Sequence, residues 1–185
     1  MEVVNANYTI NCDNDAKRQY GIIQGMNQNL KATLRAWPAI AATTIGLCFL
    51  TQRVAALLGF ELPDQQNVEV VRQWLMHAFD SAKNFTTCAL LLAQVLVLLP
   101  AIEEAIFRLP TRWLRNKAWW VLSSILFSAA HYIMQPFPDA AFIALFFFGL
   151  AQCWLYGKTG RLWCPILNHF LFNLTNVVLV LIIPQ

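Results

Sequence analysis

The stretch Phe85–Leu114, FTTCALLLAQVLVLLPAIEEAIFRLPTRWL, decides the fold of this chain. It begins with an apolar run and then carries two adjacent glutamates and an arginine. A transmembrane α-helix needs about 20 mainly apolar residues, so the stretch is long enough to cross a bilayer. It therefore predicts a membrane-spanning helix that holds ionisable side chains within the span.

The composition of the whole chain agrees with a membrane location. Of its 185 residues, 58% are hydrophobic and only 12% are charged, and the mean hydropathy is +0.48. A soluble domain carries roughly 25% charged residues, so half that share cannot cover a water-facing surface. The net charge of +3 is small, and we expect no nucleic-acid partner. We expect an integral, multi-pass protein whose outer surface faces the lipid bilayer.

Apolar stretches recur along the chain, and helices are the spanning form that fits their lengths. The predicted fold is an all-α, polytopic transmembrane helical bundle of about five spans. The predicted spans are Trp37–Phe60, Phe85–Leu114, Ala118–Met134, Ala140–Tyr156 and Leu162–Ile183.

These spans divide the chain into three segments. Residues 1–36 are polar and rich in Asn and Gln, which predicts a cytoplasmic N-terminal segment. Residues 37–84 hold the first span and a short extracytoplasmic amphipathic helix at the membrane surface. Residues 85–185 hold the other four spans and form the predicted membrane core. The apolar positions of the amphipathic helix are Val68, Val71, Leu75 and Ala78.

Basic residues alternate between successive loops and thereby orient the bundle. They cluster before the first span, after the second and after the fourth, whereas the opposite side has few. This pattern predicts a cytoplasmic N-terminus and an external C-terminus in the plasma membrane, or in the inner membrane of a bacterium. The cytoplasmic basic residues are Lys17, Arg18, Lys31, Arg35, Arg112, Arg115, Lys117, Lys158 and Arg161.

Several polar side chains lie inside the predicted spans. An ionisable group at membrane depth is costly, which makes it a functional-site hypothesis by default. In the second span, Glu104 and Arg108 are four residues apart and share a helix face, so we expect a buried ion pair between them. Glu103 is rotated by about 100° from Glu104 and is left free for chemistry.

The third and fifth spans contribute the remaining polar residues. Phe127 and His131 are four residues apart, with small residues between them that allow close helix approach. His169 and Asn173 also share one helix face. Counted at 1.5 Å per residue from the cytoplasmic helix ends, Glu103, His131, His169 and Asn173 lie about 10–18 Å deep. The four side chains can therefore converge.

These residues form three motifs: Glu103-Glu104-Ala-Ile-Phe-Arg108, then Phe127-Ser-Ala-Ala-His131, then His169-Phe-Leu-Phe-Asn173. In this order they resemble the E-E-x-x-x-R, F-x-x-x-H and H-x-x-x-N/D motifs of the CAAX protease and bacteriocin-processing (Abi) family. The resemblance implies an intramembrane endopeptidase that cleaves a membrane-associated or lipidated protein or peptide.

The resemblance also implies a role for each residue. Glu103 would be the general base that activates water, and His131 would assist it or polarise the scissile carbonyl. His169 and Asn173 would stabilise the oxyanion. The predicted catalytic set is Glu103, Glu104, His131, His169 and Asn173, and Arg108 and Phe127 are its predicted structural support.

Zinc is the alternative chemistry for the same residues. Glu103, His131 and His169 would supply three ligands with a fourth position open, which is a valid catalytic zinc set. We favour a site without a cofactor, because a metal ion would itself polarise the carbonyl and make Asn173 redundant. A zinc-bound histidine also wants an acceptor for its second nitrogen, and we expect Glu104 to be held by Arg108 instead.

A non-enzymatic function is the second alternative. A proton-coupled carrier or an immunity-type membrane protein would use the same Glu and His residues as a proton relay. Five spans do not divide into two equal repeats, and no halves of the sequence match, which disfavours a repeated transporter.

Single-cysteine labelling in intact cells tests the predicted orientation. In a background without the five native cysteines, a cysteine placed in the N-terminal segment or at residues 158–161 should resist a membrane-impermeant maleimide. A cysteine placed in residues 64–83 or at Gln185 should react. Labelling of the N-terminal segment from outside would overturn the orientation.

Overall fold

The computed structural model describes residues 3–60, 72–114, 116–134 and 139–182, and these residues form helices joined by short connections. No strand occurs within these ranges, which confirms the all-α prediction. The helices are α1 (Val3–Leu57), α2 (Ala82–Ala93), a π-helical turn (Gln94–Leu98), α3 (Leu99–Trp113), α4 (Ala118–Met134), α5 (Asp139–Thr159) and α6 (Trp163–Ile182).

Four helical stretches are long and apolar enough to cross a membrane, and they confirm a multi-pass membrane protein. The second of them joins α2, the π-helical turn and α3 into one continuous helix. The predicted third span, α4, is apolar but shorter than the other four. The four stretches are Lys17–Leu57, Ala82–Arg112, Ala141–Thr159 and Trp163–Ile182.

The first helix is much longer than the sequence pattern indicated. It runs for 55 residues, so the polar segment that precedes the predicted span is helical and continues into that span without a break. At 1.5 Å per residue the helix is about 80 Å long, whereas the hydrocarbon core of a bilayer is about 30 Å thick. A large part of α1 therefore extends beyond the hydrocarbon core.

The predicted amphipathic helix is only partly described. Val68 and Val71 lie outside the described residues, as do Arg115 and Gln185 of the predicted topology. Residues 72–76 are helical, Leu75 is half-buried and Ala78 is buried, in keeping with the predicted apolar side of that helix.

Small residues bring α4 and α5 into close contact, the most extensive helix pairing in the fold. A Cβ atom added to Gly149 would lie 3.0 Å from the Ser124 Cβ, and one added to Gly157 would lie 2.8 Å from the Trp120 ring. Small side chains allow such close approach of membrane helices. The core beside this contact consists of Ile40, Ala41, Phe127, Phe148 and Phe172.

A buried amide pair links α5 to α6. The Gln152 Nε2 atom donates to the Asn168 Oδ1 atom at 3.0 Å, and both side chains are fully buried. Asn168 immediately precedes His169, so this interhelical bond helps to fix the rotation of the helix that carries the predicted site histidine.

Gly149→Ala should lower the thermal stability of the purified protein in detergent. The added methyl would meet both the Cβ and the Cα of Ser124, the latter at 3.1 Å, and overpacking of this kind costs about 1–3 kcal/mol. Gly46→Ala on α1 is the control, because its Cβ would meet no described atom within 4 Å. Alanine is the better helix former, so this control should keep or raise the stability. Equal stability of the two variants would contradict the close contact.

Candidate active site

The two adjacent glutamates of α3 have different surroundings. Consecutive residues of an α-helix point about 100° apart, so Glu104 faces the bundle interior while Glu103 faces a partly open side. The Glu104 side chain is fully buried, whereas that of Glu103 keeps 23% of its surface exposed. One carboxylate is therefore placed for structure and the other is accessible to a reactant.

Both oxygens of the Glu104 carboxylate are used. The Arg108 Nε atom donates to its Oε2 at 2.9 Å, which is the ion pair expected from the spacing of the two residues. The His169 Nδ1 atom lies 2.9 Å from Oε1. The second contact differs from the sequence analysis, in which Arg108 alone was expected to hold this acid. One carboxylate therefore joins α3 to α6.

Arg108 is held by α4 as well. Its Nη1 atom donates to the Ser123 Oγ at 3.0 Å, and Ser123 in turn donates to the Phe107 carbonyl at 2.5 Å. The guanidinium carbon lies 4.9 Å from the centroid of the Phe127 ring, within the range of a cation–π interaction. Arg108 is fully buried.

Glu103 lies between two imidazole rings. Its Oε2 atom is 3.7 Å from the His169 Nε2 and 3.8 Å from the His131 Nε2. Both distances exceed that of a direct hydrogen bond. The structure thus brings together the three residues that the sequence placed on the second, third and fifth spans.

The partners of the other ring nitrogens fix which nitrogen carries a proton. The His131 Nδ1 atom lies 2.9 Å from the Phe127 carbonyl, which can only accept, so Nδ1 carries a hydrogen. The His169 Nδ1 faces the Glu104 carboxylate, which already accepts from Arg108, so the same assignment holds. In the neutral rings, both Nε2 atoms therefore present lone pairs toward Glu103.

Aromatic rings pack around the two histidines. The Phe127 ring lies 4.5 Å from the His131 ring, and the Phe148 ring lies 5.0 Å from the His169 ring, measured between centroids. Phe172 packs against Phe148 at 4.6 Å. These contacts restrict the histidine rotamers, and Phe127 contacts His131 through both its ring and its carbonyl.

Asn173 makes a contact that the sequence analysis did not indicate. Its Nδ2 atom donates to the Val95 carbonyl of the π-helical turn at 3.0 Å. An amide nitrogen carries two hydrogens, so one remains for another acceptor. Ser123 and Val95 were both missed as partners of the site. The Ser123-Ser124 pair within an apolar span was a signal for Ser123, whereas a backbone carbonyl gives none.

The Nδ1 atom of each histidine is paired with a protein acceptor, the Phe127 carbonyl for His131 and the Glu104 carboxylate for His169. Zinc-binding histidines pair their second nitrogen in the same way. Glu104 was expected to be unavailable for this purpose, and that expectation was wrong, because Glu104 binds Arg108 and His169 together. Within the described parts of the chain, however, no group of three or more His, Cys, Asp or Glu side chains could hold a metal ion.

Comparison with known proteins adds one finding. The family model described as type II CAAX prenyl endopeptidase Rce1-like matches residues 84–175. This range contains all three motifs and every residue of the site described above. The chain has no significant match among curated proteins or among solved structures.

Glu104→Gln and Arg108→Leu should each lower the yield of folded protein. Each leaves one member of a fully buried ion pair without its opposite charge, which costs about 3–5 kcal/mol. Glu103→Gln is the matched control on the neighbouring position, because the histidine nitrogens that face its carboxylate lie 3.7 and 3.8 Å away, beyond direct hydrogen-bond distance. Size-exclusion profiles and melting curves in detergent measure the effect. An equal loss in all three variants would show that Glu103 is structural too.

Proposed function

Residues 84–175 belong to the Rce1-like family of type II CAAX prenyl endopeptidases, and from this premise we propose that the protein is an intramembrane endopeptidase with Glu103 as its general base. The observation that carries the proposal is the position of Glu103, within 3.8 Å of two histidine Nε2 atoms on two other helices. A general base needs access to its proton donor and fixed neighbours that orient it. Glu103 has both.

Water is the nucleophile in this proposal, held between Glu103 and His131. A water molecule can bridge two polar atoms that lie too far apart for a direct hydrogen bond. The His131 Nε2 atom offers a lone pair, because Nδ1 is bonded to the Phe127 carbonyl. Glu103 accepts one hydrogen of the water and His131 accepts the other, which leaves an oxygen lone pair for attack. His131 thus assists the base rather than polarising the carbonyl.

His169 has a different role because of its partner. Since Nδ1 donates to Glu104, Nε2 can donate to an oxyanion only when the ring is doubly protonated. The Glu104 carboxylate lies beside that cationic form and stabilises it, and the nearby Glu103 carboxylate does the same. We assign His169 the stabilisation of the oxyanion in this form, together with the second N–H of Asn173.

The reaction then balances as a peptide hydrolysis. Glu103 takes a proton from water while the water oxygen bonds to the scissile carbonyl carbon. The negative charge moves to the carbonyl oxygen and faces the donors of His169 and Asn173. When the carbon–nitrogen bond breaks, Glu103 returns its proton to the leaving amine.

The location of the site supports a membrane-associated substrate. Glu103 lies within a stretch that is long and apolar enough to span a bilayer, so a peptide must enter the bilayer to reach it. A lipid-modified protein terminus or a membrane-bound peptide meets this requirement, whereas a soluble protein does not. We therefore propose a lipidated or membrane-associated protein as the substrate class.

Zinc is the second candidate chemistry. The observation that favours it is the direction of both Nε2 lone pairs toward Glu103, with Nδ1 atoms held by a carbonyl and a carboxylate. A zinc ion bound there would polarise the carbonyl and lower the pKa of bound water. A proton carrier remains a further alternative, and it predicts no cleavage.

One experiment on a single purified preparation separates these candidates. The wild type should cleave a lipidated or membrane-bound test peptide, and Glu103→Gln should reduce the rate by at least about 100-fold because the base is lost. Strong chelators should leave the wild-type rate unchanged. Metal content is measured on the same active sample.

The alternatives predict other results. One stoichiometric zinc ion, removed together with activity and restored with it, would establish the metal-dependent route. Full activity of Glu103→Gln, or no cleavage by a folded wild-type protein across the peptide panel, would refute the endopeptidase proposal.

A further inference from the structure

A π-helical turn interrupts the helix that carries Glu103, and a proline follows it. At Gln94–Leu98 the α-helical pattern widens, so that the Leu99 N–H donates to the Gln94 carbonyl, five residues earlier. Pro100 comes next and is fully buried. In a regular α-helix the proline ring collides with the carbonyl four residues before it. The wider turn relieves this collision, which explains its position.

Pro100 leaves one carbonyl of the turn without its helical donor. In the π-helical pattern, the Val95 carbonyl would accept from the residue five positions later, and that residue is Pro100, which has no N–H. The donor comes from α6 instead, since Asn173 Nδ2 lies 3.0 Å from the Val95 oxygen. Within a membrane bundle little water is available, so a carbonyl without a protein donor would destabilise the fold.

We propose that Pro100 and the π-helical turn are positioning elements for the reaction, which act by anchoring Asn173. The bond to Val95 engages one amide hydrogen of Asn173 and so fixes the direction of the other. The same bond ties α6, one turn beyond His169, to the helix that carries Glu103. The catalytic part of this inference rests on the proposed function, whereas its structural part rests on the hydrogen bond alone.

A stability cycle tests the structural part. Asn173→Leu leaves the Val95 carbonyl without a donor and should lower the melting temperature by about 5 °C. Pro100→Ala supplies an N–H to the helix, so the same Asn173→Leu change should cost less than half as much in that background. Pro38→Ala, at an exposed proline inside α1, is the control background. In it, Asn173→Leu should lower the melting temperature by as much as in the wild type.

Kinetics test the positioning part. Pro100→Ala frees Asn173 from its anchor, so kcat should fall about tenfold or more while KM changes by less than about twofold. A purely structural role of the turn would change the melting temperature and leave kcat unchanged. Pro38→Ala should keep the wild-type kcat and KM.

Each outcome of these measurements decides a separate point. Equal losses of melting temperature from Asn173→Leu in all three backgrounds would overturn the anchoring of Asn173 by Pro100. An unchanged kcat in Pro100→Ala, or a Pro100→Ala protein that does not fold, would overturn the positioning role. If the folded wild type cleaves no peptide, the endopeptidase proposal fails, and the stability cycle still supports or contradicts the anchor.

Discussion

Three helices of the bundle meet at one buried carboxylate, that of Glu104. It accepts from Arg108 on its own helix and from His169 on α6, while Arg108 reaches Ser123 on α4. In an apolar interior, removing any charged member leaves an opposite charge unpaired, at a cost of about 3–5 kcal/mol. Such an arrangement allows little sliding or rotation of the helices. The distances around Glu103 depend on it, because His169 belongs to both groups of contacts.

The pairing of Glu104 with Arg108 also affects the neighbouring acid. Two carboxylates on adjacent residues repel each other when both are charged. Arg108, held over the Phe127 ring and against Ser123, compensates the charge of Glu104 locally. Within the described site, the neighbours of the Glu103 carboxylate are the two histidine rings, not an arginine or a lysine. That is the condition in which it can exchange a proton with a reactant.

The sequence predicted what depends on local spacing and missed what depends on contacts between distant segments. The apolar runs gave the spanning helices, and the i, i+4 spacing gave the Glu104–Arg108 pair. The Glu104–His169 bond joins residues 65 positions apart, and the Asn173–Val95 bond ends on a backbone carbonyl, which no residue type marks. The helical form of the polar N-terminal segment was missed because polarity excludes a span but not a helix.

The environment explains why the residues proposed for catalysis also hold the fold together. In water, a carbonyl freed by proline or an unpaired arginine would be solvated at little cost. Inside a membrane bundle each such group needs a protein partner. Asn173 therefore donates one amide hydrogen to the Val95 carbonyl and keeps the other, whereas His169 uses Nδ1 for Glu104 and keeps Nε2. In each side chain the hydrogen bond to the protein orients the group that remains free, so the stability and the geometry of the site depend on the same hydrogen bonds.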